Sequence, residues 1–453
     1  MKNLLKLVVV LFSSAIFAQA GHIMQGVGAV NMSMGGASTA QPIDISGALQ
    51  WNPASISVFD SKLLDFNLGI FFSAPELNSS LPAGMMGPGS PAVSGTTLDQ
   101  RPVSPMPALA MVWGKEGSKH TFGVSAFGIS GFGVTFPQET NLPVDANGNP
   151  NPAWNPNDSN PINFPQSMSG FGQLKSDYML LQVGLTWAYE ITNNLSIGVQ
   201  PTVNYAALQL EPNPIASPSM TLGYPVSDKA SAIGYGAQFG LFYHSDGGVK
   251  LGVSYKTEQQ FSDLSFSNTY LDGSAAPAVD FKMNYPAILS VGLGYSNDMF
   301  DLAVDYRNVD YANTDGFAEK GWTQTGSVKG FGWKNINILS AGIQFKGIKK
   351  LPLRVGYTYS SNPIDPELAF FSTPATAVIK NAFQFGFGYH IDDNFTLNGV
   401  YHHGTSAGDT SGKMLNPMMA SPTNPYGAIP GSKVSYSMTT DMIMVGLTYK
   451  FKK

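Results

Sequence analysis

The chain has 453 residues, 12% of them charged, with 49 glycines, 31 prolines and no cysteine. So little charge and so much glycine argue against an ordinary soluble enzyme, and a mean hydropathy of -0.02 argues against a bundle of membrane helices. Basic residues are scattered and the net charge is -5, so the sequence provides no basic surface for binding nucleic acid. The lack of cysteine excludes disulfides and thiolate metal sites.

The first twenty residues have the pattern of a cleavable signal peptide. Lys2 and Lys6 precede the apolar run "LVVVLFSSAIFA", and Ala18-Gln19-Ala20 supplies the small residues that a signal peptidase needs. No later apolar run approaches the roughly 20 residues that cross a bilayer as a helix. We therefore predict an exported protein with a signal peptide at residues 1–20 and a mature chain that begins at Gly21.

Residues 21–61 show no sustained hydrophobic alternation, so this segment is predicted to be neither strand nor membrane helix. It contains Asn52-Pro53-Ala54. Asn52 can hydrogen-bond neighbouring backbone and Pro53 restricts both residues, so the tripeptide predicts a rigid corner, or alternatively an ordinary turn into the first strand. The second copy, Asn151-Pro152-Ala153, lies where Asn and Pro alternate freely and is interpreted as loop composition.

After residue 61 the dominant pattern has a period of two. Between Tyr178 and Glu190, for example, every odd position is apolar. The opposite rows hold glycines and charged groups such as Asp301, Asp305 and Arg307, which suit a crowded, partly wet lumen, whereas the apolar rows often end in Tyr or Trp. Because a bilayer admits β structure only as a closed barrel, the pattern predicts an all-β transmembrane barrel in the outer membrane.

The strand count and the loop lengths support this interpretation. Long segments and short turns alternate along the chain, as in outer-membrane barrels with long extracellular loops. The segment at 21–61 is then expected to fold into the lumen as a hatch that plugs a barrel spanning residues 62–453. Fourteen antiparallel strands are predicted near residues 62–72, 106–113, 121–136, 177–189, 195–210, 230–243, 249–267, 280–295, 300–311, 333–346, 351–360, 379–391, 395–405 and 433–450.

The third predicted strand, "TFGVSAFGISGFGVTF", is the most irregular of the fourteen. Its outward row shrinks to small residues, while Phe127 and Ile129 put bulk into the opposite phase. Such a phase shift beside glycines is typical of a bulge or an inward kink. Alternatively, glycine is common throughout the chain, and its presence in this strand does not indicate a bulge.

The sequence "GHIMQGVGAVNMSMGGASTAQPIDISGALQWNPASISVFD" resembles the N-terminal hatch of the FadL/TodX family of outer-membrane hydrocarbon transporters. The resemblance implies passive uptake of long-chain fatty acids or aromatic hydrocarbons, which pass to a pocket beside the hatch and leave sideways at a kinked third strand. It also implies that the corner Asn52, Pro53 and Ala54 lies against that strand. The lateral gate would then consist of Phe127, Gly128, Ile129, Ser130, Gly131 and Gly133.

The long loops are unusually apolar for exposed segments, which predicts a capture groove for hydrophobic ligands. The same residues would alternatively only pack the loops against one another. The predicted capture residues are Trp154, Ile162, Phe164, Met168, Phe171, Met414, Met418 and Met419.

Other groups of residues that could bind a metal do not form a site. The calcium-like run Asp145 to Pro150 has Pro150 where the loop needs glycine, and His402 and His403 point to opposite faces of a strand. We predict no metal, no cofactor and no enzyme activity. The expected partners are a hydrophobic small molecule, outer-membrane lipid and the outer-membrane assembly machinery, with the protein as a monomer and no nucleic acid bound. The alternative function is a general outer-membrane porin or an adhesin.

Overall fold

The computed structural model describes residues 19–145, 147–376 and 378–452. Most of the predicted signal peptide, residues 1–18, lies outside the described residues. Within the described ranges, none of the helices has both the length and the apolar character needed to traverse a bilayer.

Fourteen antiparallel strands close into a barrel in the described part of the chain, since the last strand pairs with the first from Lys450 opposite Leu63 to Lys433 opposite Ser80. Every other pair of neighbours is consecutive along the chain. The strands are Lys62–Leu81 (β1), Ser104–Trp113 (β2), His120–Phe136 (β3), Leu174–Thr192 (β4), Leu195–Glu211 (β5), Ala230–His244 (β6), Val249–Lys256 (β7), Ile288–Ser296 (β8), Phe300–Val309 (β9), Ile336–Phe345 (β10), Leu353–Ser360 (β11), Asn381–His390 (β12), Phe395–Thr405 (β13) and Lys433–Lys450 (β14).

The two faces of the wall follow the predicted alternation. On β1, Phe66, Leu68 and Ile70 are exposed on the outside, whereas Asp65 and Asn67, which alternate with them, are buried in the lumen. Such rows recur around the barrel and form an apolar outer band suited to lipid. The predicted fold class and strand count are confirmed.

Several predicted strand ends are wrong. β1 continues to Leu81. The strand predicted at 249–267 ends at Lys256, and the one predicted at 280–295 begins at Ile288. Between them, Leu264–Thr269 and Ala275–Phe281 belong to a separate three-stranded sheet outside the wall. Alternation has the same period in a wall strand and in a loop hairpin, so sequence does not separate them. The additional short strands are Gln19–Ala20, Ile23–Met24, Val93–Leu98, Val226–Ser227, Gln260–Phe261, Leu264–Thr269, Ala275–Phe281 and Thr410–Gly412, and the loop 3-10 helices are Pro161–Asn163, Gln166–Met168, Tyr311–Asn313, Pro366–Ser372 and Pro417–Met419.

The segment ahead of β1 is the hatch, residues 21–61, and nearly all of it is buried. It contains the short helices Ala29–Ser33 (α1) and Ile45–Trp51 (α2) and the 3-10 helix Pro53–Val58. Asp44 caps α2 by accepting a bond from the Gly47 nitrogen. The chain turns at Asn52, which is extended as a residue before proline must be, and its side-chain oxygen accepts from the Ala54 nitrogen at 3.0 Å.

Glycines on the inner wall make room for the hatch. A Cβ at any of these positions would collide with hatch atoms, so the backbones approach more closely than any other residue allows. The wall glycines that contact the hatch in this way include Gly198, Gly240, Gly252, Gly342, Gly356 and Gly386. The hatch therefore packs against the glycine-rich rows of the inner wall.

An ion pair on β9 anchors the hatch. Asp305 accepts bonds from the backbone nitrogens of Ser38 and Thr39 at 2.8 and 2.9 Å. Arg307 pairs with Asp305 at 2.5 Å, and its guanidinium lies 3.7 Å from the ring centre of Trp51. Both charges are fully buried, so each depends on the other and on the docked hatch for its partners.

Asp44 makes hatch docking sensitive to pH. Burial, reinforced by the nearby charge of Asp65, raises the pKa of the Asp44 carboxyl to about 8 from an ordinary value of 3.8. The docked hatch therefore favours the neutral acid. Its contribution to docking is complete below about pH 4, decreases as the pH rises, and is lost once the pH passes about 8.

We expect the ion conductance of the protein in planar bilayers to rise between pH 5 and pH 9, by at most about tenfold per pH unit. Asp44→Asn retains a capping oxygen without a titrating group, so its conductance should respond less to pH. If both proteins respond to pH alike, Asp44 is not the cause.

Candidate functional site

The third strand loses its second-strand partner halfway along its length. The ladder between β2 and β3 runs from Trp113 opposite Phe122 to Ala108 opposite Phe127 and stops there in the described residues. On the other side β3 continues along β4, with a register shift between Gly128 and Ser130 that leaves Ile129 as the bulged residue. The bulge that the sequence predicted is present, and Phe127 to Phe132 are buried on both faces.

The missing partner has a chemical cause on β2. Its upper end, Ser104 to Pro107, pairs with β1. Pro105 and Pro107 have no N–H group to donate to a ladder, which is why proline within sheets is confined to edges and bulges. The gap in the wall therefore lies opposite Gly128 to Val134 of β3. The prolines of "RPVSPMPALA" are a sequence signal for this edge that hydrophobic periodicity does not register.

The first residues of the hatch cover the kink from inside. Ile23 is the direct strand partner of Ser130. The His22 carbonyl accepts from the Gly131 nitrogen at 3.2 Å and from the Ser130 hydroxyl at 2.8 Å. This two-residue strand thus pairs with backbone that β2 leaves free. It was missed in the sequence because a strand this short shows no alternation.

The predicted position of the Asn52-Pro53-Ala54 corner is wrong. Asn52 donates to the Leu241 carbonyl on β6 at 3.1 Å, and the corner packs on Gly198 and Gly240. Gly198 pairs with Ala188, and Ala188 with Thr121, which lies six residues, or about 20 Å at ~3.3 Å per residue, before Phe127. The corner requires bare wall backbone, and the glycines of β5 and β6 supply it. The second copy forms a similar turn in a loop, where the Asn151 side chain accepts from Ala153 at 3.0 Å.

His22 lies at the centre of an aromatic group, here called the His22 cluster. It stacks on Phe317 at 4.6 Å between ring centres, and its Nδ1 lies 2.6 Å from the Tyr311 hydroxyl. Burial lowers the pKa of His22 to about 3, so the ring is neutral at physiological pH. Its Nε2 and the Tyr178 hydroxyl have no partner among the described residues. The other members are Tyr178, Tyr285 and Trp333.

An apolar cavity lies among the extracellular loops. The space between its walls, counted together with the adjoining open solvent, is about 380 Å³, and rings such as Trp322 and Phe371, 4.9 Å apart between centres, form the walls. We call it the outer pocket. Its lining residues are Phe171, Leu174, Pro212, Pro214, Tyr224, Trp322, Val328, Phe370, Phe371, Thr373 and Pro374.

Of the predicted capture residues, Phe171 lines the outer pocket, and the others do not. Ile162, Phe164 and Met414 are buried in loop packing, while Met418 is 79% exposed. Trp154, Met168 and Met419 also lie outside the lining. The main walls of the pocket were not predicted, although the paired aromatic residues of "ELAFFS" are a visible signal in the sequence.

The outer pocket and the His22 cluster are linked by packed side chains. Val328 lines the pocket, and Phe331, three residues further on, stacks with Phe317 at 5.5 Å. Phe331 also meets Phe132 of β3 edge-on at 5.9 Å. Trp333 of the cluster donates to the hydroxyl of Ser372, which neighbours the lining residue Thr373. Packed side chains, most of them apolar, therefore connect the loops with the bulge of β3.

A closed barrel with an apolar outer band and a lumen filled by its own N-terminal segment defines a class, the plugged outer-membrane barrels. A family model described as outer membrane protein transport protein (OMPP1/FadL/TodX) matches residues 163–452, more than half of the chain. The chain belongs to this family, which confirms the predicted resemblance and the outer-membrane location.

Solved structures share the whole fold. The toluene transporter TodX of P. putida is 17% identical over 95% of this chain and 99% of its own, with a TM-score of 0.64. A Pseudomonas aeruginosa FadL homologue is 14% identical over 96% and 100%, with a TM-score of 0.68. The Ralstonia pickettii toluene transporter TbuX is 18% identical over 94% and 99%, with a TM-score of 0.59. No curated protein sequence matches this chain.

Proposed function

We propose that this protein carries hydrophobic small molecules, long-chain fatty acids or aromatic hydrocarbons, passively across the outer membrane. The observation that carries the proposal is the series of packed, mostly apolar side chains that extends from the outer pocket past the His22 cluster to the bulged third strand. The family supports it, as do the similar folds of TodX and TbuX, which are toluene transporters.

The outer pocket is the proposed capture site. Its walls come from four separate loops and are almost entirely apolar, so a hydrophobe gains transfer free energy of about 25 cal/mol per Å² of surface that it buries there. Pro212 and Pro214, together with the 3-10 helix that bears Phe370 and Phe371, hold these walls in place. Such a preformed cleft binds without ordering the loops first.

The proposed exit is sideways through the gap between β2 and β3, with Phe127, Gly128, Ile129, Ser130, Gly131 and Gly133 as its edge. The hatch fills the lumen below, so a route straight down would require the hatch to leave the inner-wall glycines against which it packs. A sideways route leaves the plug in its place and requires Ile23 to release Ser130. It also delivers the hydrophobe into lipid, where its apolar surface stays out of water.

Phe371→Ala is expected to weaken capture without changing the exit. Losing one buried aromatic wall costs about 1.5–3 kcal/mol of binding, so half-saturation of uptake should need roughly 10- to 100-fold more substrate at an unchanged maximal rate. Uptake of a labelled fatty acid and of labelled toluene by cells expressing each variant measures this. Met418→Ala, on an exposed loop methionine outside the pocket, is the matched control.

Equal half-saturation in the Phe371→Ala and Met418→Ala variants would contradict the capture site. Liposome swelling tests the function as a whole, because free permeation of sugars through the intact protein would indicate a general porin instead.

A further inference from the structure

Three residues after the loop strand Val93–Leu98 bridge the upper end of the wall gap. The Gln100 nitrogen donates to the Thr135 carbonyl of β3 at 2.9 Å. In return, the Thr135 nitrogen donates to the Asp99 side chain at 2.5 Å. We call Asp99, Gln100 and Arg101 the clasp. It ties β3 to the chain that leads into β2, beyond the point where the ladder between β2 and β3 ends in the described residues.

Arg101 extends the clasp across β3 to β4. Its guanidinium lies so close over Gly133 that a Cβ there would occupy the same space. It donates to Asp177, the strand partner of Gly133, at 2.7 Å. Asp177 faces outward, since its neighbours Ser176 and Tyr178 are buried in the lumen, and it also binds Lys229 at 2.6 Å. The Arg101 side chain is only 7% exposed, so this ion pair is packed into the wall.

The gap is thus closed at both ends. The ladder between Ala108 and Phe127 fixes its lower end, and the clasp at Thr135 fixes its upper end. An opening held at both ends widens only if the strands between them bend. An opening free at one end widens as the two edges hinge apart.

We propose that the clasp is a gate element, and that release of Asp99 and Arg101 from β3 and β4 lets the gap widen for the substrate to leave. This inference rests on the proposed sideways exit. Arg101 acts here as a positioning residue, because it holds the two edges together from outside without being part of that series of packed side chains. Gly133 is needed because the guanidinium rests on it.

The test is a disulfide across the clasp, Gln100→Cys with Thr135→Cys. The chain has no cysteine, so the engineered pair forms the only disulfide. With the pair oxidised, uptake of a labelled fatty acid should fall at least about tenfold, and reduction should restore it, while half-saturation of binding stays unchanged. The matched control, Leu109→Cys with Ala126→Cys, joins the same strands where they are already paired and should leave uptake unchanged.

A loosened clasp gives the opposite result. Arg101→Gln shortens the side chain and removes its charge, so it should raise the maximal uptake rate several-fold, and Gly133→Ala, which displaces the guanidinium, should do the same. Heat-dependent gel mobility of the purified variants verifies that each barrel has folded.

The outcomes separate the clasp from the function on which it rests. A second disulfide, Ile23→Cys with Ser130→Cys, fixes the hatch strand to β3. If the oxidised clasp pair transports as fast as its reduced form while this second disulfide stops uptake, the clasp is not a gate and the sideways exit stands. If neither disulfide slows uptake, both the clasp and the sideways exit are wrong.

Discussion

Deletion of residues 21–56 is expected to turn the closed protein into an ion-conducting channel. These residues fill the lumen and contact the inner wall on most of its strands, so their loss leaves a water-filled barrel. Planar-bilayer recordings should show stable conductance steps that the intact protein lacks. The expected change is from a closed lumen to an open one.

The wall should survive this deletion. All fourteen strand pairings are formed between barrel residues, and Asp305 and Arg307 would gain water in place of the hatch. Circular dichroism of the purified variant verifies the strand content before recording. A folded variant that conducts no better than the intact protein would contradict the plug.

The barrel could be predicted because its signal repeats along the chain. Rows such as Phe66, Leu68 and Ile70 recur in most wall strands, and turns of Asn, Asp and Gly separate many of them. Strand ends were less predictable, because Leu264–Thr269 alternates as a wall strand would but pairs with Ala275–Phe281 in a loop. The period reports a half-buried strand, and it carries no information about which sheet that strand joins.

The site was predictable only in part. The phase shift at Phe127 and Ile129 indicated the bulge of β3, and the bulge is there. The Asn52 corner was predicted to cover the bulge, whereas the residues that cover it are His22 and Ile23. Which hatch residue meets which strand depends on the fit between two three-dimensional surfaces, and neither composition nor spacing records it.

The clasp and the outer pocket could not be predicted from the sequence for a similar reason. Asp99 to Arg101 has the composition of any polar loop, and its meaning depends on Gly133 and Asp177, which are distant in sequence. The pocket walls Trp322 and Phe371 come from different loops. Loop aromatics indicate that apolar surface exists, but only the fold shows which of them converge.

In the proposed mechanism, hydrophobes leave sideways when the first residues of the hatch release the third strand. Ile23→Cys with Ser130→Cys tests it, because these residues are direct partners and paired strand residues lie about 4.5–5.5 Å apart between Cα atoms, within disulfide range. The oxidised pair holds the hatch strand on the kink. The pair Leu109→Cys with Ala126→Cys again serves as the wall control.

The deciding measurement is the uptake rate of a labelled fatty acid and of labelled toluene by cells carrying the Ile23→Cys/Ser130→Cys protein, before and after reduction. Oxidation is expected to lower uptake of the true substrate to the level of cells without the protein, and reduction to restore it, with the wall control unaffected. Uptake that is equally fast in the oxidised and reduced states would show that the substrate does not leave through the third strand.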